Sequence, residues 1–208
     1  MRWLALGGIA GPSLFVAVVI LCGALRPGYS HSAQFISELG ALGTPNAALM
    51  NLGGFVAGGT LIVAFGISLN HLLRPHWSSV SAALLISMFG FGLVLAGAFP
   101  CAPGCPQKDP TLHDGVSIAA FLSAIAGLAL AARSFRAVAR WRPLWAYSAI
   151  SSAAAFFLLL ALATSIDSRV FTGIWQRLLL GTLFLWCAVV GSTAFRWAKP
   201  AARGPTSD

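Results

Sequence analysis

Ser79 to Phe99 reads S-V-S-A-A-L-L-I-S-M-F-G-F-G-L-V-L-A-G-A-F, with no Asp, Glu, Lys or Arg anywhere in it. Wound as an α-helix at 1.5 Å per residue, a run of this length crosses roughly 30 Å, the thickness of a bilayer's hydrocarbon core. Five further runs of the same kind flank it. The six are placed at about 4–25, 47–69, 79–99, 112–132, 144–165 and 174–195. The first is read as a span rather than a signal peptide. It is longer than a signal's apolar region, and no small-x-small cleavage site follows it.

The composition agrees. Of 208 residues, 58% are hydrophobic and only 9% are charged, against about a quarter charged in soluble domains. So few polar groups cannot clothe a water-facing surface. The expected fold is therefore all-α: one polytopic bundle of six transmembrane helices over residues 1–198, followed by a disordered cytoplasmic tail over 199–208. A formal charge of +8 would suit a nucleic-acid partner. The basic residues, however, sit in short segments between apolar runs, where membrane topology accounts for them. No nucleic acid is expected as a partner.

On the side holding both termini lie Arg2, Arg74, Arg133, Arg136, Arg140, Arg142, Arg196, Lys199 and Arg203. The other side has Arg26, Lys108, Arg169 and Arg177. Nine against four places both termini in the cytoplasm and the protein in a cell membrane, multi-pass. The Arg133–Arg142 segment reads as a basic inner loop with an interfacial Trp141. It would anchor the chain, or meet anionic lipid head groups.

Nearly every group capable of chemistry falls on the outer side. The first outer segment is R-P-G-Y-S-H-S-A-Q-F-I-S-E-L-G-A-L-G-T-P-N, Arg26 to Asn46. Phe35, Leu39 and Leu42 share one helical face, and His31, Gln34 and Glu38 another, so a short amphipathic helix is expected, lying at the membrane surface or dipping into the mouth of the bundle. The second is F-P-C-A-P-G-C-P-Q-K-D-P-T-L-H-D-G, Phe99 to Gly115. Asp109 followed by Pro110 reads as a helix start, which puts His113 and Asp114 in the first turn of the fourth span. Cys101 and Cys105 suit a disulfide on an oxidising face. The rival is a zinc site with His113 and an acid, for which paired Cys-x-x-Cys spacing is missing. Cys22 and Cys187 read as inert fillers within spans.

The third outer segment is T-S-I-D-S-R-V-F-T-G-I-W-Q-R, Thr164 to Arg177. Arg177, near membrane depth, calls for a partner. Glu38, Asp114 and Asp167 are candidates for a structural clamp; the other reading is an arginine that holds the anionic head of a ligand. The histidines lie at different depths, so no haem is expected, and no cofactor or resident metal is assigned. No acid stands at mid-span, which argues against a proton relay. The small-residue patches L-G-G-I-A-G from Leu6 and L-G-G-F-V-A-G from Leu52 suit close helix packing.

Taken together, R-P-G-Y-S-H…I-S-E-L-G-A-L-G-T-P-N-A, F-P-C-A-P-G-C-P…L-H-D and G-I-W-Q-R-L, with a tryptophan in the last span, resemble the prokaryotic membrane family catalogued as domain of unknown function 998. The resemblance runs from the first span to the sixth. It implies a compact bundle of about six helices and brings no activity or catalytic residue with it.

The leading expectation is a polar pocket at the outer mouth that binds or modifies a membrane lipid or other amphiphile. Tyr29, His31, Glu38, His113, Asp114, Asp167, Gln176 and Arg177 would line it. As an enzyme it would use His113 and Glu38, with Asp114, for proton transfer. Ser30, Ser32 and Ser37 are conceivable nucleophiles, without a nucleophile-elbow pattern. The alternative is a non-catalytic sensor, scaffold or partner subunit whose outer polar residues only clamp the helices.

Overall fold

The computed structural model describes residues 2–73, 76–103, 105 and 111–197. Six helices carry the chain: α1 (Arg2–Ala24), α2 (Leu49–Leu72), α3 (Trp77–Ala98), α4 (Leu112–Ala137), α5 (Arg142–Ser165) and α6 (Thr172–Trp197). Each is long and apolar enough to cross a membrane, and no strand occurs among the described residues. The chain is an all-α, multi-pass membrane bundle.

The helices form a ring in chain order. Each packs on its sequence neighbours, and α6 closes back on α1. The start of α1, the end of α6 and the α4–α5 connection meet at one end of the bundle: Arg2 Nε donates to Phe195 O at 3.1 Å, and Arg140 Nη2 donates to Trp197 O at 2.6 Å. The described residues of the connections 25–48, 99–111 and 166–171 lie at the opposite end, the capped end.

Close approach of the helices follows from the two glycine patches. A Cβ on Gly11 would stand 2.8 Å from Gly58 O, so the patches face each other across α1 and α2. Gly59 and Gly90 do the same across α2 and α3, at 2.5 and 2.7 Å. Between these contacts the interior is filled by rings. Phe15 lies 5.2 Å from both Phe55 and Phe184, and Trp186, fully buried, donates its indole N–H to Ser148 Oγ on α5 at 2.9 Å.

Three expectations need correction. Helix α4 continues to Ala137, so Arg133 and Arg136 belong to its last turns rather than to a loop. Their guanidinium groups lie over Trp77 and Trp145, as long cationic side chains do near a helix end. Trp141 is not interfacial. It is buried and stacks on Phe135 at a centroid distance of 4.9 Å.

The Tyr29–Leu42 segment is not an amphipathic α-helix at the surface; of the two placements expected for it, its middle takes the one that dips into the bundle. It is a chain of turns with one 3₁₀ turn, Ile36–Gly40. Phe35, Ile36, Leu39 and the charged Glu38 are buried, while Leu42 is exposed. The cause is competition for backbone groups: side chains from other elements take the hydrogen bonds a helix would have used. Asp109 and Pro110, expected to start α4, and the tail 199–208 lie outside the described residues. Thr111 is the N-cap of α4.

Candidate functional site

The first capping segment is held down by the start of α6, and the G-I-W-Q-R stretch shows how. Gly173 has no side chain to keep the segment away: a Cβ there would come within 2.5 Å of both Gln34 O and His31 O. Ile174 N donates to Ser32 O at 3.2 Å. Gln176 Oε1 accepts from Ile36 N at 2.7 Å. Arg177 Nη1 donates to Gln34 O at 3.0 Å and to Gly173 O at 2.9 Å. From the other flank, Asn51 Nδ2 in the π-helical start of α2 donates to Gly40 O at 2.8 Å.

Glu38, within this capping segment, is buried. Its carboxylate accepts from Phe35 N at 3.0 Å, Gln34 Nε2 at 2.9 Å and Arg169 Nη1 at 2.8 Å. Arg169 Nη2 also donates to Cys105 O at 2.9 Å, which joins all three connections of the capped end. Cys101 and Cys105 form the expected disulfide, with Cα atoms 6.0 Å apart. Their sulfurs are therefore not available for zinc.

Arg177 does not form the carboxylate clamp that was one of the two readings for it. Its Nη2 donates to Tyr29 Oη at 2.6 Å and to His31 Nδ1 at 3.2 Å. Among the described residues its partners are carbonyls, a phenol and an imidazole, and no carboxylate comes within 4.0 Å. Burial pushes the Tyr29 phenol up, opposed by Arg177. Burial, and then the Arg177 charge, holds the His31 imidazole below its usual value. Both effects fit the geometry, since His31 Nδ1 must be unprotonated to accept from the guanidinium.

The eight residues assigned to one pocket fall into separate places. Tyr29, His31 and Arg177 gather where α1 meets α6. Glu38 is buried within the first capping segment. His113 and Gln176 face inward between α4 and α6. Asp114 caps its own helix, accepting from Thr111 N at 2.9 Å and Thr111 Oγ at 2.7 Å. Asp167 is exposed. His113 Nδ1 lies 3.1 Å from Ala96 O and 2.9 Å from Phe99 O, and no carboxylate is within hydrogen-bond reach of it among the described residues. An acid–base pair with Glu38 is thus not assembled. Ser30 and Ser32 pair with each other at 2.9 Å.

Asn51 and Ser117 were not singled out from the sequence, Gln34 was placed only on a polar helical face, and Arg169 was only counted among the basic residues. For Arg169 a signal existed, since it stands two residues from Asp167 in the short connection between α5 and α6. Ser117 carried none, being one small polar residue in an apolar helix.

A groove of about 1000 Å³ runs along the lipid-facing side of the bundle between α1 and α6. Val16, Ile20, Leu180, Gly181 and Leu185 line its length, and His31 and Arg177 line its capped end. No curated protein and no solved structure matches the chain. The profile of the family described as "Protein of unknown function (DUF998)" matches residues 9–193, from the first turns of α1 to the end of α6, and the chain belongs to that family.

Proposed function

We propose that this protein binds an anionic amphiphile in the α1–α6 groove. The phosphate or carboxylate head sits at Arg177 and His31, and the chain lies along Val16, Ile20 and Leu185. The observation that carries the reading is the coincidence, in one groove, of an apolar trough and an arginine with no carboxylate partner among the described residues. Near membrane depth an unneutralised cation is costly, and an anionic head group removes that cost. Arg177 also retains its Nε donor, which no described acceptor takes. The nine-to-four distribution of basic residues supports placing this end of the groove on the outer leaflet.

The test is thermal unfolding in a neutral detergent with added dodecyl phosphate, laurate or dodecyl maltoside. The anionic compounds should raise the melting temperature of the wild type in a saturable way, and the maltoside should not. Arg177→Gln should lose that shift. Gly181→Leu should fold well and lose it too, because nothing lies within 4 Å of a Cβ placed at Gly181. Equal shifts for charged and neutral heads, or shifts that survive Gly181→Leu, would overturn the reading. The scaffold reading would then stand, supported by the Arg169–Glu38 clamp.

A further inference from the structure

A second cleft, of about 170 Å³, opens between α4 and α5 beneath the capped end, lined on its flanks by Ile118, Leu159 and Ala163. A smaller space of about 20 Å³ adjoins it deeper in the bundle, against Phe55, Leu93 and Leu180. Ser37, His113, Ser117 and Gln176 line both.

These four side chains hold unused hydrogen-bonding capacity. Gln176 is buried, and its Oε1 is identified by the backbone N–H of Ile36 that it accepts. The other amide atom is therefore Nε2, a donor with no acceptor among the described residues. His113 is buried, and its Nδ1 faces two carbonyl oxygens, so that nitrogen carries the hydrogen. In the neutral ring Nε2 is then an acceptor, also unpaired. Ser117 Oγ makes no hydrogen bond among the described residues, and Ser37 Oγ has only the Cys105 sulfur at 3.8 Å. None of these atoms is sealed away from the cleft. Their capacity is open to whatever occupies the cleft.

A donor and an acceptor facing one space suit a hydroxyl, which accepts and donates at once. Among the described residues the single acid or base lining the cleft, apart from His113, is Asp114, already engaged by Thr111, so nothing described there favours an anionic head. The inner space holds about one water. The cleft is several times larger, with room for a hydroxyl and a short length of chain.

We infer that the α4–α5 cleft is a second ligand site, taking the hydroxyl head of a neutral lipid from the bilayer. Gln176 Nε2 donates to the hydroxyl oxygen, the hydroxyl donates to His113 Nε2, and Ser117 completes the set. The site shares no polar residue with the α1–α6 groove and does not depend on that reading.

The test compares 1-dodecanol with its methyl ether as additives in thermal unfolding. The ether matches the chain but cannot donate to His113. Dodecanol should give a saturable rise in melting temperature beyond that of the ether. Ser117→Ala, which loses no internal bond, should weaken the midpoint roughly fivefold, the worth of one neutral hydrogen bond. Ser117→Leu should abolish the alcohol-specific rise by filling the cleft, and Arg177→Gln should leave it intact. Equal responses to alcohol and ether, or an alcohol-specific rise unchanged in both Ser117 variants, would mean the polar groups hold water only and would overturn the inference.

Discussion

Arg169 Nη1 reaches across 131 residues of chain to place its charge 2.8 Å from Glu38 Oε1. Glu38 is 7% exposed at the side chain and Arg169 is 36% exposed, so the pair lies at the boundary between interior and water. Arg169 also adopts a left-handed backbone, φ 56°, which disfavours most side chains. Strain of this kind persists where surrounding contacts over-determine the conformation. The ion pair and the bond to Cys105 O are two such contacts.

Arg169→Gln leaves a buried carboxylate with only neutral donors. The expected loss is about 1–3 kcal/mol, read as a lower melting temperature in detergent. Glu38→Gln should cost a similar amount, because the amide nitrogen that replaces one carboxylate oxygen is a donor and cannot accept from Gln34 Nε2 or from Arg169. The double variant should cost clearly less than the sum of the two. Additive losses would show that the pair contributes nothing as a pair.

The Cys101–Cys105 bridge closes a very short ring, so its entropic effect on the unfolded chain is small, about 2 kcal/mol. Cys101→Ser should therefore weaken the protein modestly without preventing folding. Thiol counting on the denatured, unreduced protein should find two reactive cysteines, Cys22 and Cys187. Four would remove the bridge.

Two glycines of α6 should answer substitution with opposite signs. Gly173→Ala forces a methyl against two backbone carbonyls at 2.5 Å, with an overpacking cost of about 1–3 kcal/mol. Gly181→Ala meets nothing within 4 Å and should gain up to about 1 kcal/mol from helix propensity. Melting of the two variants side by side checks this. A neutral Gly173→Ala would show that the first segment is not pressed on α6.

His31 should make stability depend on pH. Its folded-state pKa is held below the ordinary value of 6.5 by burial and by Arg177, so the unfolded chain binds more protons and stability rises with pH. The loss begins as pH falls through 6.5 and levels off below the depressed value. Melting between about pH 7.5 and about pH 5.5 should show a component that His31→Gln lacks. A wild type with the same slope as the variant would disprove it.

Much of the fold was legible because a bilayer imposes a demanding rule. A span must satisfy its backbone internally and clothe itself in apolar side chains, so uncharged runs such as Ser79–Phe99 declare themselves. The helix ends came within a few residues except at α4, where Arg133 and Arg136 extend their charges past the apolar run and hide the last turns. The glycine patches at Leu6 and Leu52 were legible for the same reason, since close helix approach needs small residues wherever it occurs.

The capped end was legible only as a set of residues. Its local pattern pointed to an amphipathic helix at Phe35, Leu39 and Leu42, but hydrogen bonds from Gln176 and Arg177, more than 130 residues away in sequence, took the backbone groups such a helix would need. The same long-range contacts chose Arg169 rather than Arg177 as the partner of Glu38 and turned Arg177 toward the α1–α6 groove. Periodicity and hydropathy are properties of neighbours along the chain and could determine the spans. Which arginine meets which acid depends on how the three loops fold over the bundle, and only the tertiary structure decided it.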